Sequence, residues 1–83
     1  MNEKIRASLA KLGGLSVAID SLADDADLYA AGLSSFASVQ LMLSLEETFD
    51  IEFPDSMLNR KSFASIAAIE RTLALIVEDR KVA

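Results

Sequence analysis

Side chains able to do chemistry are few in this chain of 83 residues, and a serine pair stands out among them. There is no cysteine and no histidine. That removes disulfides, thiolate metal sites, a cysteine nucleophile, and the commonest general base and metal ligand. Any thiol this protein uses must come from an attached group. Ser34 and Ser35 lie in Gly32-Leu33-Ser34-Ser35-Phe36, which nearly reads as the G-x-S-x-G elbow of hydrolases. The closing glycine is missing, no histidine can complete a triad, and the chain is too short for the sheet that carries such an elbow. A Ser-Lys dyad would need Lys4, Lys11, Lys61 or Lys81, and none neighbours Ser35 in sequence. Asp20, Asp24, Asp25 and Asp27 form an acidic cluster, but without the glycine turn and terminal glutamate of a calcium loop. The expectation is a chain with no catalytic residue and no metal site, hence a carrier or a binding protein.

The element that must position the pair is a helix beginning at the serines themselves. Gly32 permits a tight approach, and a serine hydroxyl can accept from an unpaired amide of the first turn. Ser34 fits that cap, which leaves Ser35 at the first helical position with its hydroxyl toward solvent. Two apolar stripes run down the helix. Leu41, Met42, Leu45 and Phe49 form the wider, core-facing set. Phe36, Val39 and Leu43 form a second set at i, i+3 and i+7, starting beside Ser35. The second stripe is either further core or a partner-binding surface, since burying it requires another helix to cover it. Glu46, Glu47 and Asp50 place negative charge at the helix C-terminus, which the helix dipole disfavours by about 0.3–1 kcal/mol per charge. They are either a solvated helix end or a handle for a basic partner.

The run Asp27-Leu28, Gly32 to Leu45, Glu46-Glu47 and Phe49-Asp50-Ile51-Glu52-Phe53-Pro54-Asp55 resembles helix two of acyl and peptidyl carrier proteins. In that family the motif Asp-Ser-Leu carries a serine that receives 4'-phosphopantetheine; aligned without gaps it falls on Ser34-Ser35-Phe36. The resemblance therefore implies a covalent arm on Ser35. It further implies that Phe36, Val39 and Leu43 dock partner enzymes, with Gln40, Glu46 and Glu47 tuning partner choice. Two positions depart from the pattern. Ser34 replaces the Asp that helps the phosphopantetheinyl transferase hold its metal ion, and Gln40 replaces the usual Glu of the acidic face. Both argue against a housekeeping fatty-acid carrier. The wording AAGLSSFASVQLM, with LNRKSFASI later, is similar to stand-alone bacterial carriers. Those are loaded with an amino acid by ligases resembling class II aminoacyl-tRNA synthetases. The implied partners are that transferase, an amino acid:[carrier protein] ligase or acyl-loading enzyme, and a downstream acceptor. A carrier for a specialised fatty-acid or polyketide pathway is one alternative, and an unmodified helical interaction module that leaves Ser35 as an ordinary capping residue is another.

Composition agrees with one small helical domain, residues 1–83. The apolar fraction is 52% and the net charge is 8 − 13 = −5. Such an acidic surface is repelled by nucleic acid and anionic membranes and suits basic patches on partner enzymes. No apolar run reaches the length of a membrane span, and the N-terminus lacks a signal-peptide core, so the reading is cytoplasmic; a monomer is expected.

The other elements follow in order. The first helix spans Asn2 to Leu12, with Asn2 able to cap it, Ile5, Leu9 and Leu12 on one face, and Gly13 beyond its end. A long connection runs to Gly32, pinned by Leu15, Val17, Ile19, Leu22 and Leu28; the alternation over Leu15, Val17 and Ile19 could also be a short strand, but nothing else would pair with it. After Pro54, which cannot continue a helix, Asp55 or Ser56 caps a short helix through Met57, Leu58 and Asn59. Arg60 and Lys61 form an exposed basic pair, read as solvated charges with a dedicated partner contact as the alternative. Ser62 caps a last helix with Phe63, Ile66, Ile69, Leu73 and Ile76 inward, fraying through Glu78, Asp79, Arg80 and Lys81. The expected fold is all-α: a small four-helix bundle, three main helices plus one short helix, with a long first loop.

Overall fold

Three stretches of helical periodicity become α-helices: α1 (Asn2–Leu12), α2 (Ser35–Phe49) and α3 (Ile66–Val82). The computed structural model describes residues 2–12 and 18–82. Gly13, Leu15 and Val17 lie outside the described residues, and no strand occurs among those that are described.

The core is built from the inward stripe of each helix. Ile5 and Leu9 of α1, Leu41 and Leu45 of α2, and Ile66, Ile69 and Leu73 of α3 are almost wholly removed from water. Met42, Phe49 and Leu12 are partly buried against this cluster. Ile76 and Phe63 are buried as the periodicity requires, and α3 continues through Glu78 to Val82 rather than fraying there. Each fully buried aliphatic side chain contributes about 1.5–3 kcal/mol, and these residues carry most of what holds the helices together.

From Ile19 to Asp24 the connection is held by a polar clamp that periodicity could not reveal. Arg6, on α1, donates from Nη1 to the Ile19 carbonyl (2.7 Å) and from Nη2 to the Leu22 carbonyl (2.9 Å) and to Asp24 Oδ1 (2.7 Å). Its Nε donates to Asn2 Oδ1 (2.7 Å). The Asn2 amide nitrogen in turn donates to Asp24 Oδ1 (2.9 Å) and Glu70 Oε1 (2.6 Å). Asn2 lies within α1, and its side chain makes these tertiary bonds instead of serving as a cap. Backbone bonds complete the seam: Ala67 N–H donates to the Asp24 carbonyl and Leu28 N–H to the Ala64 carbonyl, both at 2.8 Å. Leu22 and Leu28 are then buried, and Ile19, which opens a 3₁₀ turn (Ile19–Ser21), packs partly against the core.

Between α2 and α3 the expected short helix is two 3₁₀ turns, Asp55–Met57 and Arg60–Phe63. Asn59 is the reason. Its backbone is extended (φ −142°, ψ 166°) and its side chain accepts from the Ser62 N–H, ending the first turn and starting the second. Ser62 therefore does not cap α3. Ser65 does, its Oγ accepting from the Ala68 N–H at 3.0 Å. Phe53 and Phe63 meet under these turns with ring centroids 5.4 Å apart.

Replacing Arg6 by Ala should lower stability by about 1–3 kcal/mol, because it strips partners from two carbonyls and a carboxylate, as a thermal melt would register. The Asn2 hydrogen bond and then the Arg6 hydrogen bond hold the Asp24 carboxyl below its ordinary range. The unfolded chain thus binds the proton more readily. The stabilisation is fully present above the ordinary aspartate range and is lost as pH falls through the lowered value. Asp24→Asn should flatten the acid limb of a pH-melting curve; an unchanged limb would show that this bond network is not formed in solution.

Candidate functional site

The junction before α2 is a tight turn. Leu33 N–H donates to the Leu28 carbonyl (2.9 Å) and Gly32 N–H to that of Tyr29 (3.1 Å), with Gly32 at φ 114°, a conformation that side chains disfavour. Asp27 Oδ1 accepts from the amides of Tyr29 (2.9 Å) and Ala30 (3.3 Å), fixing the turn from within. Leu33 is buried, so the chain is anchored one residue before the serine pair.

The two serines then divide the work. Ser34 is the N-cap, in extended conformation, and its Oγ accepts from the Ala37 N–H at 3.0 Å. Ser35 is the first helical residue and is exposed. Its hydroxyl has no hydrogen-bond partner among the described residues, and it sits where first-turn amides lack intrahelical partners and the helix dipole favours an anion. An esterified phosphate would be favourably placed at this atom.

Phe36, Val39 and Leu43 are 73%, 52% and 54% exposed, so the second stripe is surface and not core. Gln40 and Glu47 flank it in solvent. Glu46 is only partly exposed, and its Oε2 accepts from the Phe53 N–H at 2.9 Å. That bond stitches the chain after α2 back onto the helix, so Glu46 already has a structural role. Asp50 ends α2 in the left-handed region (φ 53°), its N–H donating to the Glu46 carbonyl.

Beside Ser35 opens a cleft of about 390 Å³, lined by Tyr29, Ser35, Ser38, Val39, Met42, Leu58, Asn59, Arg60 and Phe63. Arg60 is not a merely solvated charge. Its guanidinium lies over the Tyr29 ring, 3.9 Å from the centroid, and the Tyr29 hydroxyl donates to the Arg60 carbonyl at 3.2 Å. Burial pushes the Tyr29 phenol up, the Arg60 cation opposes this, and Asp27 adds to the rise. Tyr29, Asn59 and Arg60 went unremarked as site residues in the sequence because 31 positions separate Tyr29 from Arg60. The one available signal was that Tyr29 is the chain's single tyrosine.

The family described as "Phosphopantetheine attachment site" matches residues 3–73, nearly the whole helical unit. The chain belongs to that family of carrier domains. Its cofactor is covalent phosphopantetheine. The site fits this group: an exposed, unbonded serine hydroxyl stands at the mouth of a cleft within the size range of ligand sites, with apolar walls and a cation at its rim. This carrier chain is 66% identical, over the full length of both chains, to a protein named "Aminoacyl carrier protein" from Agrobacterium fabrum. It superposes with a TM-score of 0.87 on a carrier protein from Agrobacterium tumefaciens at 71% identity, covering 90% of this chain and 97% of that one. That structure is a complex with an engineered glycine:[carrier protein] ligase from Bradyrhizobium japonicum and ATP. A glycylated carrier protein in complex with the Bradyrhizobium japonicum ligase matches at 31% identity and a TM-score of 0.74, covering 86% of this chain and 95% of that one. Among the described residues no helix is long and apolar enough to cross a membrane.

Ser34→Ala should cost about 1 kcal/mol of stability through the lost cap. Ser35→Ala, which removes no hydrogen bond, should leave the melting temperature nearly unchanged. Equal losses from the two substitutions, measured by chemical denaturation, would contradict this division of roles.

Proposed function

We propose that Ser35 carries the phosphopantetheine arm and that the chain is a stand-alone aminoacyl carrier, a single carrier domain with no reaction of its own, working in the cytoplasm. The observation that carries this reading is the split between the serines: Ser34 caps α2, leaving the Ser35 hydroxyl exposed and uncommitted at the helix start. The aminoacyl cargo is supported by the likeness to the Agrobacterium fabrum carrier and to carriers seen in complexes with a glycine:[carrier protein] ligase.

The residues of this chain have three tasks. The Ser35 hydroxyl oxygen accepts the arm from a phosphopantetheinyl transferase, which must recognise this carrier with Ser34 before the attachment serine. First-turn amides and the dipole of α2 stabilise the phosphodiester's negative charge. Phe36, Val39 and Leu43, already exposed, give loading and acceptor enzymes an apolar contact, with Gln40 and Glu47 tuning the fit and Glu46 supporting the fold beneath it. The arm supplies a thiol that this cysteine-free chain lacks, and that thiol holds the cargo as a thioester.

Intact-mass measurement of protein incubated with transferase and coenzyme A should show one added phosphopantetheine, lost in Ser35→Ala. A Ser35→Ala variant that still gains the group would sink the assignment, and a wild-type chain that never gains it would favour an unmodified interaction module. Phe36→Ala should weaken ligase docking about ten- to hundredfold with little change in melting temperature, since a large side chain buried by a partner contributes about 1.5–3 kcal/mol. Titration calorimetry against the ligase reads this directly. Ready loading with fatty acyl groups and with no amino acid would favour the specialised fatty-acid or polyketide alternative.

A further inference from the structure

The cleft beside Ser35 has a feature that carrying a group does not by itself require: a cation held in a fixed place at its rim. Arg60 has no carboxylate within ion-pair distance among the described residues, where the recorded ion pair is Arg6 with Asp24. Its guanidinium is nevertheless not loose. It is stacked on the Tyr29 ring, and the Tyr29 hydroxyl is bonded to the Arg60 carbonyl, so side chain and backbone of the same residue are both held by one tyrosine. Asn59, immediately before, caps the 3₁₀ turn on which Arg60 rides. A guanidinium stacked on an aromatic face keeps its edge N–H groups available for an anion. Ser35 and Arg60 line the same cleft, with Val39, Met42 and Phe63 as its apolar wall.

Resting on the assignment of the arm to Ser35, we infer that Arg60 is a positioning residue for that arm: its guanidinium binds the phosphodiester and lays the unloaded arm along the cleft, with the apolar part of the arm against Val39 and Met42. The occupant is fixed by the tether, because the attachment oxygen belongs to a residue of the cleft wall. It is also fixed by charge, because the phosphodiester is an anion and Arg60 is the cation of that wall. The same arrangement disfavours the loaded end. An aminoacyl thioester carries an ammonium group, which gains nothing from an apolar wall and is better solvated in water. The free-thiol arm therefore rests in the cleft, and aminoacylation releases its tip to solvent.

The test uses modified full-length protein whose single adduct has been verified by mass. Isotope-filtered NMR should show contacts between the arm's methyl protons and the side chains of Val39 and Met42. Arg60→Gln should weaken them about two- to fivefold, the scale of an exposed ion pair, and Arg60→Lys should restore part of the loss. Should Arg60→Gln perturb the fold, raising the salt concentration on the wild-type protein must weaken the same contacts, because exposed pairs are screened. Aminoacylation should weaken them as well. Absent contacts in the modified wild-type protein, or contacts indifferent to Arg60→Gln and to salt, would overturn the inference while leaving the assignment of Ser35 intact. Failure to form the adduct would instead remove the assignment on which it rests.

Discussion

A single guanidinium holds down the segment that delivers the serine pair. Arg6 reaches from α1 to two loop carbonyls and to Asp24, and Asn2 extends the same network to Glu70 on α3. The helices could pack by their apolar stripes without it. From residue 18 onward the connection buries Leu22, Leu28, Ala31 and Leu33 and bonds its backbone to Ala64 and Ala67, and the clamp adds the tie to α1. With the clamp in place, Leu22 and Leu28 seat in the core, the turn from Asp27 to Leu33 closes, and α2 begins at a defined point. The position of a surface hydroxyl thus depends on a network at the far end of the connection.

The structure separates tasks that the sequence places side by side. Adjacent serines take unlike roles, one bonded to the backbone and one open to solvent. Along α2, one face is sealed against the other helices by Leu41 and Leu45, and the next face keeps three large apolar residues in water. Exposed single hydrophobics are ordinary, but three on consecutive turns beside the proposed attachment serine form one contiguous apolar surface. Among the acidic residues at the end of the helix, Glu46 is drawn into the fold by the Phe53 amide while Glu47 stays in solvent.

What was legible in the sequence was what depends on local spacing. The bounds of α1, the Ser34 cap, the two stripes of α2 and the inward residues of α3 all follow from periodicity and capping chemistry, which neighbouring residues determine. What was not legible depends on partners far apart in the chain. Arg6 and Asp24 are 18 positions apart, and Tyr29 and Arg60 are 31. The start of α3, expected at Ser62, falls at Ser65 for a different reason. Ser62 and Ser65 are equally good caps, and the choice falls to Asn59, which captures the Ser62 amide and makes that segment a separate turn. Whether Phe36, Val39 and Leu43 were core or surface was likewise open, because periodicity states that a face is apolar and not whether anything covers it.

The left-handed residue Asp50 fixes where α2 stops as firmly as Ser34 fixes where it starts. Between Ser35 and Glu47 the helix is uninterrupted, so the two lie about 18 Å apart along its axis. Under the function proposed above, the helix is in effect a rigid gauge block between a tether point and an acidic handle. An enzyme that grips the handle end receives the tether at a set distance and bearing, whatever the arm itself is doing. Compatibility among successive enzymes then becomes a matter of shared spacing: each can evolve its own chemistry so long as its basic contact and its catalytic entrance are separated to match this one helix.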